Sequence, residues 1–310
     1  MKILVTGGAG FIGSHVVDLL IQEGHQIIVV DDLSSGRPSN LNPSATFYHM
    51  DIRDPEMRKL LASEKPEIIS HHAAQIDVRR SVADPLFDAD VNILGSIRLV
   101  ELAYQSGVRK FIHISSGGAV YGEPVYLPCD EKHPVQPLCP YGASKFAFEL
   151  YLFIYKQTYG LDYTILRYPN VYGPRQDPYG EAGVVAIFTG QMLRNQQVRI
   201  NGSGEQVRDF VYVADCARAN LLALNQGSGQ VFNLGFGIGI TINQIFEQLK
   251  EITKYPLNPI YGPPKAGETF RIFLDANHAR QELGWEPRIN LGNGLCKTVE
   301  YFRQKELVEN

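Results

Sequence analysis

Over the first 167 residues two hydrophobic rhythms alternate. Short runs rich in β-branched residues predict buried strands at Lys2–Thr6, Gln26–Val30, Thr46–Met50, Glu67–His72, Lys110–Ile114 and Tyr163–Arg167. Between them, apolar residues recur at helical spacing. Phe11, Ile12, Val16, Val17, Leu19 and Leu20 predict one helix, and a second begins near Asp54. A long helix is predicted from Asp84 to Gly107, with Val91, Ile93, Leu94, Ile97, Leu99, Val100 and Leu102 at apolar positions, and another from Tyr141 to Tyr159. Strands alternating with helices through short turns predict a parallel, doubly wound α/β sheet. Such sheets bind ligands beyond the carboxyl ends of their strands, so Asp31, Asp51, Ala73 and Ser115 are expected to line one crevice.

The rhythm breaks after Arg167. Tyr168 to Gly183 is rich in glycine, proline and tyrosine and has no periodicity. A helix (Val184–Arg194), a strand-like piece (Val198–Ile200), a strand (Arg208–Val213), a helix (Asp215–Asn225) and a strand returning to the sheet (Val231–Leu234) are predicted beyond it. The expected division is a nucleotide-binding domain over 1–167, with 208–236 returning to it, and a smaller interleaved lobe built from 168–207 and 237–310.

Composition narrows the function. The chain has 310 residues, 44% of them hydrophobic, enough for a sizeable core. A net charge of −4 and a pI near 6.1 give no support for nucleic-acid or acidic-membrane binding. No apolar run reaches membrane-spanning length and the chain enters a strand at once, so no signal peptide and a cytoplasmic location are expected. Cys129, Cys139, Cys216 and Cys296 lack metal-site spacing and are expected to be free thiols, with no metal bound.

The first chemistry lies between the first two strands. Gly8, Gly10 and Gly13 fit GxGxxG, and Gly7, Gly10 and Gly13 the GxxGxxG variant. A strand precedes them, a helix follows, and the next strand ends in Asp31. Glycines allow a tight turn and close backbone approach to a pyrophosphate, and the helix N-terminus presents free N–H groups. Asp31 is placed to accept the adenosine ribose hydroxyls. A 2′-phosphate there would meet the charges of Asp31 and Asp32, which favours NAD over NADP, with Arg37 the one nearby cation. The second chemistry is Tyr141-Gly142-Ala143-Ser144-Lys145. Tyrosine and lysine four apart share a helix face. A neighbouring ammonium favours the phenolate, and a phenolate can take a proton from a sugar hydroxyl. Ser115 and Ser116 end a strand just upstream, before Gly117-Gly118-Ala119-Val120-Tyr121-Gly122.

With these motifs the chain resembles the extended short-chain dehydrogenase/reductases, and within them the UDP-glucose (UDP-galactose) 4-epimerases. Thr6–Gly13, Asp31–Gly36, His72-Ala73-Ala74, Asn92, Val120-Tyr121-Gly122, Tyr141–Lys145, Leu166–Pro174 and Val207–Phe210 carry the likeness over nearly the whole length. The resemblance implies a Rossmann domain, tightly held NAD and a UDP-sugar substrate. It places Phe11 and Ile12 on the pyrophosphate, Asp31 on the adenosine ribose, and Asp51 and Ile52 on the adenine, with Gly7, Gly10, Gly13, Asp32, Leu33, Ser35 and Gly36 also binding the cofactor. His72, Ala73, Ala74, Gln75, Asn92, Ser115, Tyr168 and Pro169 would line the rest of the cofactor path, with Tyr141 as acid/base and Lys145 as its partner. Ser116, Gly117, Gly118, Asn170, Val184, Val198, Ile200, Asn201, Arg208, Lys265 and Glu268 would hold the substrate. A homodimer through a four-helix bundle is implied as well.

Two positions depart from that pattern. Gly117 stands where the family has its catalytic serine or threonine, so Ser116 or Ser115 is expected to supply the hydroxyl through a backbone shift that the glycine pair permits. Lys265 stands for a phosphate-binding arginine, and Ile272 for a position that governs room for an N-acetyl group. Gly118-Ala119 lacks the carboxylates that dehydratases and decarboxylases carry there, which leaves epimerisation. UDP-glucuronate and UDP-N-acetylglucosamine 4-epimerases are the alternative enzymes, and a non-catalytic NAD-binding regulator the alternative class.

Overall fold

The computed structural model describes residues 1–179, 183–264 and 269–309, with side chains to Lys305. The strands are β1 (Lys2–Thr6), β2 (Gln26–Asp31), β3 (Thr46–His49), β4 (Ile68–His71), β5 (Lys110–Ser116), β6 (Asp162–Tyr168), β7 (Asn170–Tyr172), β8 (Arg199–Asn201), β9 (Val207–Arg208), β10 (Phe210–Tyr212), β11 (Gln230–Asn233), β12 (Ile240–Thr241) and β13 (Ile260–Gly262). The helices are α1 (Phe11–Gln22), α2 (Met57–Glu64), α3 (Val78–Ala83), α4 (Pro85–Ala89), α5 (Ser96–Gln105), α6 (Gly117–Val120), α7 (Pro140–Tyr159), α8 (Val184–Leu193), α9 (Val213–Ala223), α10 (Ile242–Thr253), α11 (Asn277–Glu282) and α12 (Leu291–Glu309).

Seven parallel strands form the main sheet in the order β11-β6-β5-β4-β1-β2-β3. The order reverses between β1 and β4, which opens the crevice there. Both faces are covered. Ile3, Val5, Val29, Val17 and Leu20 pack with α9 on one side, and Leu4, Ile28, Val30, Leu99 and Phe148 pack with α5 and α7 on the other. This double burial is why the strand sequences are continuously apolar. A separate core joins α8, α10, α12, β8 and β10 through Val185, Phe188, Ile200, Phe210, Phe246 and Leu295.

Three elements differ from their sequence expectation. The long helix at Asp84–Gly107 is α4 and α5 joined by a π-helical turn, Asp90–Gly95. There Asn92 leaves the regular face: its amide donates to the Gln75 carbonyl and accepts from the Gln75 N–H, both at 2.9 Å. The single strand expected at Arg208–Val213 is two. β9 pairs antiparallel with β12, and β10 pairs parallel with β7. Asp209 between them turns its carboxylate inward to accept the N–H groups of Phe236, Gly237 and Leu274 at 3.0–3.2 Å. Burial pushes that carboxyl up to about 6, against the pull of those hydrogen bonds. Finally, the unpatterned stretch after Arg167 contains β7, whose pairing partner lies forty residues on in β10.

Candidate active site

A cavity of about 700 Å³ runs along the carboxyl ends of β1, β2, β4, β5 and β6. The glycine turn forms its floor. Gly7 has φ +69°, and a β carbon on Gly13 would lie 2.2 Å from the Gly7 carbonyl oxygen. Only bare backbone lets α1 start this close to β1. Gly10 caps α1 without a side-chain hydrogen bond, so its first N–H groups stay available to an anion. Asp31 accepts from the N–H groups of Ala9 and Leu33, both at 2.9 Å, and burial raises its pKa. A β carbon on Gly36 would sit 2.6 Å from the Asp31 carboxylate, so Gly36 and Leu33 hold that carboxylate rather than line the wall. Gly7, Gly10, Phe11, Ile12, Gly13, Asp31, Asp32, Ser35, Asp51, Ile52, His72, Ala73, Ala74 and Gln75 line the cavity. Asn92 lies behind it, holding Gln75. A bare phosphate seat, an inward ribose acceptor and a long groove fit a dinucleotide.

At the far end stand Ser115, Ser116, Tyr141, Lys145, Tyr168, Pro169 and Asn170. Tyr141 lies in the first turn of α7, which begins at Pro140. A β carbon on Gly142 would meet the Ala119 carbonyl at 2.5 Å, so that glycine seats the first turn of α7 against α6. Lys145 and Glu149 follow Tyr141 at four-residue steps and are both buried. Burial pushes the Tyr141 phenol up to about 12, opposed by a hydrogen bond with the Ser116 side chain. Burial also brings the Lys145 ammonium down to about 8, opposed by Glu149 and Asp88. Burial and then Lys145 hold His72 down at about 3, and His71 well below its usual value, so both imidazoles are neutral at pH 7. In the protein alone the groups that act on the phenol are burial, Ser116, Cys139 and Asp88, and the phenolate stabilisation expected from the lysine is not among them.

The Lys145 shift has a measurable sign. Below pH 8 both folded and unfolded chains hold the proton, and folding bears the full cost of a buried ammonium. Between pH 8 and 10.5 the unfolded chain binds more protons, so stability from this group rises with pH. Lys145→Met is therefore expected to stabilise NAD-free protein at pH 7 by up to about 3 kcal/mol. The gain should shrink to nothing near pH 10.5. Urea unfolding across pH 7–10 measures it, and a destabilised variant at pH 7 would refute the assignment.

The two serines diverge. Ser115 donates to Glu149 at 2.5 Å, within a buried network in which Arg167 forks onto both Glu149 oxygens. Ser116 ends β5 and faces Tyr141. Gly117 has no positive φ. Its side of the chain is filled instead, because a β carbon there would lie 2.4 Å from Leu274 Cδ1. Leu274 thus occupies the space a serine would need. Gly117→Ser should lower the melting temperature by several degrees, while Gly117→Ser with Leu274→Ala should recover most of that loss, as thermal melts of the four-member cycle would show. Additive losses would mean that the two positions do not compete for space.

Gly118 and Asn170 are neighbours: a β carbon on Gly118 would lie 3.9 Å from both Asn170 Oδ1 and Ser116 Oγ. Val198 and Ile200 point into the C-terminal core at 0% and 1% exposure, so their side chains do not surround a ligand. The alternation along the segment turns Arg199 and Asn201 outward instead. Val184 packs against the same core. Arg208 donates to the Val207 and Phe270 carbonyls. Ile272 is buried with Val120, Tyr121, Cys129 and Leu274, and Tyr168 bonds to Asn220. Lys265 and Glu268 lie outside the described residues. All four cysteines are free. Arg37, Arg175, Gln176 and Asp177 also line the cavity. Of these the sequence singles out only Arg37, because the other three lie in the unpatterned stretch. Among the described residues, no cluster fit to hold a metal occurs and no helix is long and apolar enough to cross a membrane.

Fold and site together define a dinucleotide-binding α/β enzyme with a tyrosine–lysine pair at the end of its groove. Residues 3–235 match the model of the NAD dependent epimerase/dehydratase family, and the chain belongs to that family. It is 47% identical to the UDP-glucose 4-epimerase of Mycolicibacterium smegmatis, over 98% of this chain and 99% of the relative. The UDP-glucose 4-epimerase of Thermotoga maritima, solved with UDP-glucose, is 54% identical, with a TM-score of 0.98 over 99% of this chain and 100% of that one. The UDP-glucose 4-epimerase of Thermus thermophilus, solved in complex with NAD, is 42% identical, with a TM-score of 0.93 over 98% of this chain and 99% of that one.

Proposed function

We propose that the protein is an NAD-dependent UDP-glucose 4-epimerase, an isomerase interconverting UDP-glucose and UDP-galactose. The observation that carries this reading is the Tyr141–Ser116–Lys145 cluster at the end of a groove shaped for a dinucleotide, in a chain that shares 47% and 54% of its residues with enzymes of that name.

The glycine turn with Phe11 and Ile12, and Asp31, would hold NAD, which would supply the acceptor and donor of a hydride at the sugar C4. Tyr141 removes the C4 hydroxyl proton as the carbonyl forms and gives it back on return. Ser116, free of the Glu149 network, polarises the C4 oxygen in place of the family's usual hydroxyl. Ser115 instead steadies Glu149. Lys145 holds positive charge beside neutral His71 and His72, which favours the tyrosinate once substrate is present. Asn170, beside Ser116 and Gly118, anchors the substrate near its diphosphate. Gly118-Ala119 offers no carboxylate for loss of water, so the transient 4-keto sugar is rotated and reduced rather than dehydrated. A smaller C-terminal lobe is supported by the separate core, which takes Phe210 and Tyr212 from the 208–236 segment, whereas β11 of that segment pairs with β6 in the main sheet. A homodimer is supported by exposed apolar side chains on two neighbouring helices, Leu94 beside α5 and Leu150, Phe153 and Ile154 on α7.

The deciding experiment incubates purified protein with UDP-galactose and no added NAD. UDP-glucose as product supports both the reaction and a retained cofactor. Absence of product from protein that carries NAD would overturn the substrate, and parallel assays with UDP-glucuronate and UDP-N-acetylglucosamine would then identify the sugar.

A further inference from the structure

Residues 173–179, which follow β7, cross back over the first βα unit and are fastened to it at three points. His15 Nε2 donates to the Pro174 carbonyl at 2.9 Å. Arg175 Nη2 pairs with the Asp18 carboxylate at 2.6 Å. Arg37 Nη2 pairs with Asp177 at 3.0 Å. His15 and Asp18 follow Phe11 at helical steps of four and three, so they share the face of α1 that begins at the glycine turn. Arg37 lies just beyond Asp31. The fastenings therefore run from the phosphate seat toward the adenosine ribose end of the cofactor groove.

The segment carries more than fastenings. Arg175 adopts φ +68°, a left-handed conformation that side chains disfavour. Its second terminal nitrogen, Nη1, is buried and has no partner among the described residues, although Arg175 lines the cavity. The Gln176 side-chain oxygen is in the same condition. A buried guanidinium N–H without an acceptor is costly unless a ligand supplies one. Beside an open helix N-terminus, the complementary group is a phosphate oxygen, and for the Gln176 oxygen it is a ribose hydroxyl.

We infer that Arg175 is a cofactor-binding residue. Its Nη1 donates to the dinucleotide pyrophosphate above α1, and Asp18 fixes the guanidinium there through Nη2. Gln176 accepts from a ribose hydroxyl, and the Arg37–Asp177 pair closes the segment over the groove. The result is a strap that slows exchange of a cofactor the reaction never consumes. The inference rests on the NAD dependence of the family and not on which sugar is the substrate.

The test uses NAD-loaded, full-length protein and reads cofactor exchange directly. Arg175→Gly keeps the left-handed backbone without strain and removes the guanidinium. After gel filtration, retained NAD is released by denaturation and quantified, and exchange is followed by chase with labelled NAD. Arg175→Gly is expected to exchange NAD at least about tenfold faster, as loss of a charge-assisted hydrogen bond implies. Asp177→Asn, which leaves Arg175 intact, is expected to speed exchange by a smaller factor. NAD-free Arg175→Gly should melt within about 2 °C of NAD-free wild type. Wild-type exchange in Arg175→Gly would overturn the inference. So would a change confined to the KM for the sugar nucleotide, which would assign the guanidinium to the substrate's diphosphate. A loss of NAD matched by collapse of the NAD-free fold would make the role structural only. In that event Arg175→Lys, which keeps the charge, decides: fast exchange from a stable fold supports a guanidinium that bridges Asp18 and the phosphate through its two terminal nitrogens, and wild-type exchange refutes it.

Discussion

Tyr141→Phe lowers turnover of UDP-galactose on the order of a thousandfold, the range expected when a general acid/base is removed. The substitution keeps the ring and removes only the hydroxyl, so folding and NAD content should match wild type. Loss of turnover without loss of cofactor separates a chemical role from a packing role. The pH profile adds a second reading. In the protein alone the phenol is pushed up to about 12 by burial. Activity near neutral pH therefore requires the bound complex to bring that value down, and the positive charge of the oxidised nicotinamide is the new favourable charge available. Spectrophotometric titration of the tyrosinate, wild type against Tyr141→Phe, should show a low-pH component that appears with NAD and is missing from the variant. Turnover within a factor of about three of wild type in Tyr141→Phe would remove Tyr141 from the mechanism.

Arg167→Met is the substitution expected to cost most stability. Arg167 and Glu149 are each 4% exposed and joined by two hydrogen bonds, with Nε at 3.0 Å and Nη2 at 2.5 Å. The third nitrogen, Nη1, donates to the Tyr121 hydroxyl at 2.8 Å, and that hydroxyl donates in turn to Asn233 on β11. The network ties α7 to β6, to the loop after β5 and to the sheet edge. Removing the cation strands a buried carboxylate, at a cost of about 3–5 kcal/mol. The effect reaches the site through Glu149, which lies one turn beyond Lys145 and also holds Ser115. Loss of the arginine should therefore lower both the denaturation midpoint and NAD retention. The double change Glu149→Leu with Arg167→Met removes both charges and should regain a substantial part of the stability, because a buried pair is often no better than apolar side chains of similar volume. A single variant as stable as wild type in urea would show that the pair is solvated, contrary to its burial.

The sequence alone determined what depends on neighbours along the chain. β1, the glycine turn, α1 and the acid that ends β2 form one local unit, and each part is dictated by backbone sterics or by a helix end. The Tyr141–Lys145 spacing places both on one face of any helix. The alternation of apolar strands with amphipathic helices led to a parallel sheet, and even the return of β11 to its edge was legible as a short β-branched run. Tertiary structure decided whatever depends on contacts between distant segments. Asp209 divides a strand because three N–H donors from other segments converge on its carboxylate. Gly117 lies against Leu274, more than 150 residues away, and the Ser115 hydroxyl is taken up by Glu149 on α7. Val198 and Ile200 face a core that exists only once α8, α10 and α12 have assembled, and the unpatterned loop holding Arg175 acquires its meaning from His15, Asp18 and Arg37. Periodicity records which face of an element is buried. It carries no information about which distant side chain meets that face, because that is settled by packing and hydrogen bonding across the fold.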